Sequence, residues 1–416
     1  MHPIVICALL WAFFLFSGII KIENKHPYTS LLACENVNSI NAIVQSSPAK
    51  LSSGTYYNME LSLCSVTGAI GQYLTKADAT GRIRAFVPSE IVESYFPGKL
   101  YKSPAFFDIG ESVTLQGSFS CKDGENVFFA DSAKTYGYIK SKNIFNNVRA
   151  AIRHNLRKIL FSWHEAGGFL LALLTGCREY VPINCSSLFQ RSGVTHILAI
   201  SGMHLTFISG ITSFLVCKIL GKRHKLLILF LSELIFVYIA GLSPSIFRAF
   251  FCSVFALLCA YCYMEKSEYK IEFLALVFLL HTVFLPSQIK SVSFMLTYAA
   301  YFGISLLCDK VSIRLSKIMP PFIAKSIALS FSAQIATSPV LLILFSTFMP
   351  FALVASIIIS PFVSLFIVIG FAFLIVSLLF PFSVHIFAVI MNSLYRIIFV
   401  LLGLFASLPV IELGEK

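Results

Sequence analysis

Long apolar runs separated by short polar breaks occupy the second half of the chain, from about residue 194 onward. Each run approaches the roughly 20 helical residues that cross a bilayer core. The runs predict eight membrane-spanning helices, with approximate bounds 194–217, 226–242, 246–263, 271–285, 291–308, 326–345, 351–379 and 384–408. Pro361 lies inside the long seventh run and predicts a kink or a break there. We therefore expect a transmembrane domain over residues 193–410.

Another apolar run, residues 3–20, lies near the start of the chain. A secretory signal peptide is one interpretation of this run. However, it has almost no positive residues before it and no clear small-residue cleavage site after it. We therefore interpret residues 1–25 as an uncleaved anchor helix.

Residues 26–142 follow a different pattern, in which turn residues separate short segments with alternating apolar and polar positions. Examples of these segments are G-R-I-R-A-F-V-P and S-V-T-L-Q-G-S-F. About five such strands predict a small β-barrel or sandwich, and they fit a barrel of the oligonucleotide-binding (OB) type. The predicted fold class is a polytopic α-helical membrane protein with an N-terminal, periplasmic, all-β (OB-like) domain.

Residues 143–192 form a predicted helical region at the outer membrane surface. Within it, Arg149, Arg153 and Arg157 recur every four residues and share one helix face, while apolar residues occupy another. A basic amphipathic helix of this kind is suited to lie on a membrane surface.

The composition agrees with a membrane protein, because 57% of the residues are hydrophobic and only 12% are charged. The net charge of +12 does not by itself indicate nucleic acid, since Lys and Arg collect in cytoplasmic loops. Basic residues are concentrated in alternate loops, such as 218–225 and 310–325, and these loops are predicted to be cytoplasmic. The β domain and the C-terminus are then predicted to face the periplasm.

Candidate catalytic and metal-binding groups are scarce in this sequence. Of the 11 Cys residues, only Cys259 and Cys262 form a C-x-x-C pair, which lies in a predicted apolar span, and no nucleophile–base pair or metal-ligand set is recognisable. We predict no enzymatic activity, no metal and no cofactor. Cys34, Cys64 and Cys121 lie in the predicted β domain, where a periplasmic location would allow one disulfide among them.

Four ordered sequence blocks carry a family resemblance. Residues 167–210 contain L-L-T-G-C-R and then G-V-T-H-I-L-A-I-S-G-M-H-L. Three further blocks are Y-I-A-G-L-S-P-S-I-F-R-A-F, S-F-M-L-T-Y-A-A-Y-F-G-I and S-A-Q-I-A-T-S-P-V-L-L-I-L-F-S-T-F-M-P. Together they resemble the signature of the ComEC competence family, in family order, and the resemblance covers roughly residues 26–408.

The resemblance implies a bacterial inner-membrane channel that takes one DNA strand into the cytoplasm during natural transformation. It implies single-stranded DNA and membrane lipids as partners, together with a separate DNA receptor, a helicase-like ATPase and a nuclease, and it leaves a homo-oligomer open. Many family members carry a metallo-β-lactamase-like domain, but this sequence contains no H-x-H-x-D-H motif. The alternatives are a transporter of another substrate with the same fold, and a relic that transports nothing.

Polar residues within the predicted spans are candidates for a translocation path, because unsatisfied polar groups are costly in lipid. The candidates are His196, Ser201, Gly202, His204, Arg248 and Gln334. The histidines and Gln334 either line a path or hydrogen-bond neighbouring helices, and the Ser-Gly pair either breaks its helix or allows close packing. Arg248 either contacts a DNA phosphate or pairs with Glu233.

A basic stretch outside the predicted spans is the candidate for DNA binding, because Lys and Arg neutralise phosphates without sequence preference. Its residues are Lys134, Lys140, Lys142, Arg149 and Arg153. Nearby aromatic side chains offer stacking surfaces for bases, and these are Phe128, Tyr136, Tyr138 and Phe145. Lipid headgroup binding is the alternative for the part of the stretch in the amphipathic helix.

Overall fold

A computed structural model describes residues 3–17, 28–51, 53–70, 73–94, 109–122, 125–131, 138–139, 144–178, 180–198, 202–216, 222–262, 270–289, 291–345, 347–349, 351–409 and 411–412. The chain separates into two compact units. The barrel unit comprises Asn24–Cys185 and Gly370–Tyr395. The helical unit comprises Met1–Glu23, Ser186–Ile369 and Arg396–Lys416.

The barrel unit contains a closed β-barrel. Its strands are β1 (Thr29–Ser30), β2 (Val37–Val44), β3 (Ala49–Lys50), β4 (Tyr56–Ile70), β5 (Tyr73–Thr80), β6 (Arg82–Pro88), β7 (Ser112–Lys122), β8 (Glu125–Ala130) and β9 (Tyr138–Ile139). Five of them close a ring in the order β2-β4-β6-β8-β7 and back to β2. All neighbours in the ring are antiparallel except β6 and β8, which are parallel. This connectivity is that of an OB-type barrel, so the predicted β domain is confirmed.

The barrel core consists of every second side chain of the strands, because successive side chains point to opposite faces of a strand. On β6, Ile83, Ala85 and Val87 are buried. Cys34 is disulfide-bonded and Cys64 is a free cysteine, so Cys64 takes no part in the predicted disulfide, and its formation between Cys34 and Cys121 stays a prediction.

Helices lie between β6 and β7 and after the barrel strands in the same unit. They are α2 (Ser89–Ser94), α3 (Ile144–Phe161), α4 (His164–Thr175) and the start of α5 (Ile183–Arg191). Within the predicted helical region 143–192, the structure breaks the first helix at Ser162 and Trp163. The break lets α4 fold back on α3 so closely that a Cβ at Gly167 would lie 1.7 Å from the carbonyl oxygen of Leu160. A glycine is therefore required there.

Apolar helices account for most of the remaining chain. They are α1 (Pro3–Phe16), α6 (Thr195–Leu198), α7 (Gly202–Val216), α8 (Lys222–Ala240), α9 (Pro244–Tyr261), α10 (Lys270–Phe284), α11 (Val292–Leu315), α12 (Pro321–Phe345), α13 (Ala352–Leu379) and α14 (Val384–Ala406). Two short strands, β10 (Thr347–Phe348) and β11 (Ile411–Glu412), pair antiparallel. Among the described residues, five helices are long and apolar enough to cross a membrane: α9, α11, α12, α13 and α14. The predicted class, a polytopic membrane protein with an N-terminal β domain, is confirmed.

Two predicted spans differ from the observed helices. The span 194–217 contains α6 and α7, and residues 199–201 between them lie outside the described part of the chain. The span 351–379 contains Pro361, yet α13 continues through it as one helix. Helices in membranes tolerate proline where other groups satisfy the freed backbone carbonyl.

Close packing of α11 against α12 depends on Gly303. A Cβ at this position would lie 2.4 Å from the Ala336 Cβ and 2.5 Å from the Ser332 carbonyl oxygen. A Cβ at Gly403 would meet nothing within 4 Å.

We expect Gly303→Ala to lower the thermal stability of the detergent-solubilised protein, because overpacking typically costs about 1–3 kcal/mol. The matched variant Gly403→Ala should leave the melting temperature unchanged or slightly higher, because alanine favours a helix. Equal melting temperatures for Gly303→Ala and the wild type would show that the two helices separate easily.

Candidate functional site

Local sequence rules place Arg248 early in α9. Gly241 ends α8 with a φ of 95°, a left-handed backbone that glycine adopts without strain. Ser243 then caps α9, since its hydroxyl accepts a hydrogen bond from the Ile246 amide at 3.4 Å. Pro244 occupies the first helical turn, where its missing N–H costs nothing. The G-L-S-P-S block is thus a helix start that sets the position of Arg248.

The Arg248 side chain is half-buried and lies against an aromatic ring. Its guanidinium carbon is 5.0 Å from the centroid of the Tyr301 ring on α11, within the range of a cation–π interaction. Its Nε atom is buried and has no hydrogen-bond partner among the described residues. A guanidinium held in this way can still donate to an anionic oxygen, such as that of a phosphate.

Gly202, at the start of α7, lies beside this guanidinium. A Cβ on Gly202 would be 3.0 Å from the Ala249 Cβ and 3.9 Å from the Arg248 Nη2 atom. The structure therefore brings together two of the predicted path residues, and it adds Tyr301, which the sequence did not single out. We call Gly202, Arg248 and Tyr301 the arginine cluster.

A buried histidine network holds the loop in front of α9. The fully buried His281 on α10 lies 3.0 Å from the Tyr298 hydroxyl through Nδ1 and 3.0 Å from the Gln288 Oε1 through Nε2. Gln288 in turn donates to the Leu242 carbonyl oxygen at 2.8 Å. Sequence reasoning missed this network, although a histidine within the apolar helix α10 was a usable signal.

Glu233 does not pair with Arg248 in the described part of the chain, so the proposed ion pair is not formed. The buried Glu233 side chain on α8 instead accepts hydrogen bonds from Ser209 and from Ser253, the latter at 2.7 Å. These bonds join α7, α8 and α9 around one carboxyl group. The positive charge of Arg248 is balanced by no carboxylate among the described salt bridges.

The other path candidates lie in different environments. His196 on α6 is exposed, and its Nε2 atom lies 3.4 Å from the Ser356 hydroxyl on α13. His204 on α7 is only 1% exposed. Gln334 on α12 is half-buried, and Ser201 lies outside the described residues. No described contact joins His196 or Gln334 to the arginine cluster, and the role of each in a path stays a prediction.

The predicted DNA-binding residues fall into two groups. Lys134, Lys140 and Lys142 lie outside the described residues. Arg149 on α3 is half-buried, and Arg153 is completely buried. DNA contact by these residues stays a prediction, and for Arg153 it would require the packing around α3 to open.

The orientation of α3 differs from the predicted one. Arg153 and Arg157 both donate to the Cys177 sulfur, Arg157 at 3.4 Å, and Arg153 also donates to the Ser47 hydroxyl at 3.3 Å. The exposed residues of α3 include Phe145, which is 69% exposed. Periodicity shows which residues share a helix face, but it does not show whether that face points inward.

The suggestion that Phe128 stacks on bases is wrong. Its side chain on β8 is fully buried in the barrel core, whereas its neighbour Phe129 is 44% exposed. An error of one residue in a strand moves a side chain to the opposite face. The exposed aromatic residue of β8 is therefore Phe129.

Titratable groups near α3 and α5 show the effect of burial. Burial raises the pKa of the Cys185 thiol to about 11, although a hydrogen bond with Tyr395 opposes this. Burial also lowers the pKa of His154, and the charges of Lys158 and Arg157 add to the effect. A thiol with a raised pKa is a poor nucleophile.

In the described residues, no group of three or more His, Cys, Asp or Glu side chains could hold a metal ion.

Comparison with known proteins identifies relatives of the chain. The model of one protein family, described as "Competence protein", matches residues 173–415, more than half of the chain. Recombination protein 2 of Haemophilus influenzae is 27% identical over 201 residues, which are 45% of this chain and 25% of that protein. ComE operon protein 3 of Bacillus subtilis is 34% identical over 88 residues, 20% of this chain and 11% of that protein. The chain thus spans a quarter or less of each of these relatives. No solved structure matches it.

Proposed function

Because the chain belongs to the Competence protein family, we propose that it acts in DNA uptake during natural transformation, as an inner-membrane channel for one DNA strand. The family match over residues 173–415 is the observation that carries this proposal. The matched residues include the arginine cluster and the five helices of the described chain that are long and apolar enough to cross a membrane. The apolar surface of these helices is consistent with lipid around them.

In this proposal the arginine cluster meets the phosphates of the passing strand. Arg248 can donate hydrogen bonds to a phosphate oxygen while Tyr301 holds its guanidinium plane. A small residue at position 202 leaves room beside the guanidinium. Conduction requires binding that is weak enough to be reversed. A single arginine in a mostly neutral path meets this requirement, because it binds the DNA strand without holding it in place. His196, Ser201, His204 and Gln334 supply that neutral polar wall.

The proposed partners are those that membership of the Competence protein family suggests. They are a helicase-like ATPase that supplies the driving force, and a DNA receptor and a nuclease that deliver the strand. Lipids contact the apolar helices. The proposal requires neither a metal nor another cofactor, and it leaves a homo-oligomer open.

An in-frame deletion tests the proposal in the source bacterium. Transformation with a selectable marker should fall to the assay background in the deletion strain and return when the intact gene is supplied elsewhere. Normal transformation of the deletion strain would refute the proposal. Loss of uptake of some other compound in that strain would point to a different substrate.

The proposed topology has the β domain and the C-terminus in the periplasm. A periplasmic alkaline phosphatase reporter should be active when fused after residue 150 and after residue 412. The same reporter fused after Lys225, at the end of the basic segment 218–225 that is predicted to be cytoplasmic, should be inactive and serves as the control. Activity after Lys225 combined with inactivity after residue 150 would reverse the orientation.

A further inference from the structure

The outer surface of β6 carries a pattern that the proposed translocation path does not use. Because Ile83, Ala85 and Val87 point into the barrel core, Arg82, Arg84 and Phe86 point outward. Both arginines are exposed and Phe86 is half-buried. The outward residues of the neighbouring strands β4 and β8 complete this surface.

One end of the surface is aromatic. Phe86 lies directly opposite Phe129 in the parallel pairing of β6 with β8, and the two rings stack with their centroids 5.3 Å apart at an angle of 20°. On the other side, β4 places Asn58 opposite Phe86 and Tyr56 opposite Pro88. Tyr56 is 40% exposed and Phe129 is 44% exposed. Three rings from three adjacent strands therefore form one partly exposed aromatic patch.

The other end of the surface is basic. A strand rises about 3.3 Å per residue, so Arg84 and Arg82 lie about 7 Å and 13 Å from Phe86 along β6. Ser62 on β4 faces Arg82, and Glu60 faces Arg84. Two guanidinium groups at two-residue intervals thus continue the row that begins at the stacked rings.

We propose that this face, formed by Tyr56, Phe86, Phe129, Arg82 and Arg84, binds single-stranded nucleic acid. Bases stack on the aromatic patch, and the adjacent phosphates contact the two arginines. Aromatic rings beside cations suit an unpaired strand, whose bases expose their faces, whereas a duplex hides those faces in its own stack. The identification of the strand as DNA rests on the proposed function.

The binding site is distinct from the basic stretch that the sequence predicted. That stretch lies after β8, and its basic residues contact phosphates. The face on β4, β6 and β8 places base-stacking rings and arginines on one surface. It therefore predicts a preference for single strands over duplexes, which phosphate contacts alone do not give.

The test uses the full-length detergent-solubilised protein and a fluorescent oligothymidylate, with binding followed by anisotropy. Phe129→Leu keeps apolar volume but removes a ring, and it should weaken binding about tenfold, since stacking on an aromatic side chain typically contributes that much or more. Arg82→Gln should weaken binding and reduce the slope of log affinity against log salt by about one.

Matched controls lie on β5 of the same barrel. Tyr73 is 81% exposed and Lys76 is also exposed, so Tyr73→Leu and Lys76→Gln remove the same chemical groups elsewhere. Both should bind as the wild type does, and an unlabelled duplex should compete much less well than a single strand. Wild-type affinity in Phe129→Leu and Arg82→Gln, an equal loss in the β5 variants, or equal competition by duplex would each overturn the proposal. None of these outcomes depends on the deletion strain, so the channel proposal and this one can fail separately.

Discussion

Arg248→Gln is expected to abolish most DNA uptake while the protein still reaches the membrane in normal amounts. Glutamine keeps polar groups near Tyr301 but removes the charge and the planar guanidinium. A hydrogen bond to a charged group contributes about 1.5–3 kcal/mol, which corresponds to a loss of roughly tenfold to a hundredfold in uptake rate. Arg248→Lys should be intermediate, because it keeps the charge and loses the planar stacking. The measurement is DNase-protected uptake of labelled DNA, normalised to membrane protein level.

The matched control for this prediction is Arg396→Gln. Arg396 also lies within a predicted span, on α14, but its side chain is exposed. Arg396→Gln should leave DNA uptake near the wild-type level. The control therefore shows whether the loss of any arginine from a span lowers uptake or only the loss of Arg248. Normal DNA uptake by the Arg248→Gln variant would show that the arginine cluster does not line the translocation path.

His196→Ala is the second variant with a large expected effect, namely loss of DNA passage with a normal protein level. His196 is exposed and lies near Ser356, so its removal creates no buried cavity. His204→Ala should also block passage. However, its side chain is buried, so some of its effect will come from lost packing.

Uptake assays on both histidine variants, with immunoblots of the membrane fraction, check this expectation. Ser356→Ala should reduce uptake less than His196→Ala, because it removes only a neighbour of the imidazole. Degradation of His196→Ala would mark the residue as a packing element. Wild-type uptake in both histidine variants would show that the signature helix does not line the path.

Hydropathy and strand alternation predicted much of the fold, because hydropathy reports a segment that suits an apolar surrounding and alternation reports the buried face of a strand. The apolar runs of α8, α9 and α10 appear at nearly their predicted positions. Hydropathy did not predict the helix ends. The helix α12, for example, begins at Pro321, earlier than predicted, because apolar content does not mark where backbone hydrogen bonding starts. The OB-type connectivity agrees with the count of five strands.

The contacts between helices at the candidate site could not be predicted from the sequence, because they depend on tertiary packing. The sequence motif that contains Arg248 indicated this arginine as a candidate. Its contact with Tyr301, however, joins two different helices, and residue spacing within one helix does not predict such a contact. The inward orientation of Arg153 is a similar case, since its partners Ser47 and Cys177 come from distant loops. Phe129 was missed because a single-residue choice decides the face of a strand.

The central claim is that the chain carries one DNA strand across the inner membrane. Its most direct test supplies end-labelled duplex DNA to the deletion strain and to the same strain with the intact gene restored, and then follows the label inside and outside the cytoplasm. We expect the deletion strain to bind duplex DNA normally but to contain no labelled single strands in the cytoplasm, and we expect the restored gene to return them. Labelled single strands in the cytoplasm of the deletion strain, at the level of the restored strain, would contradict it.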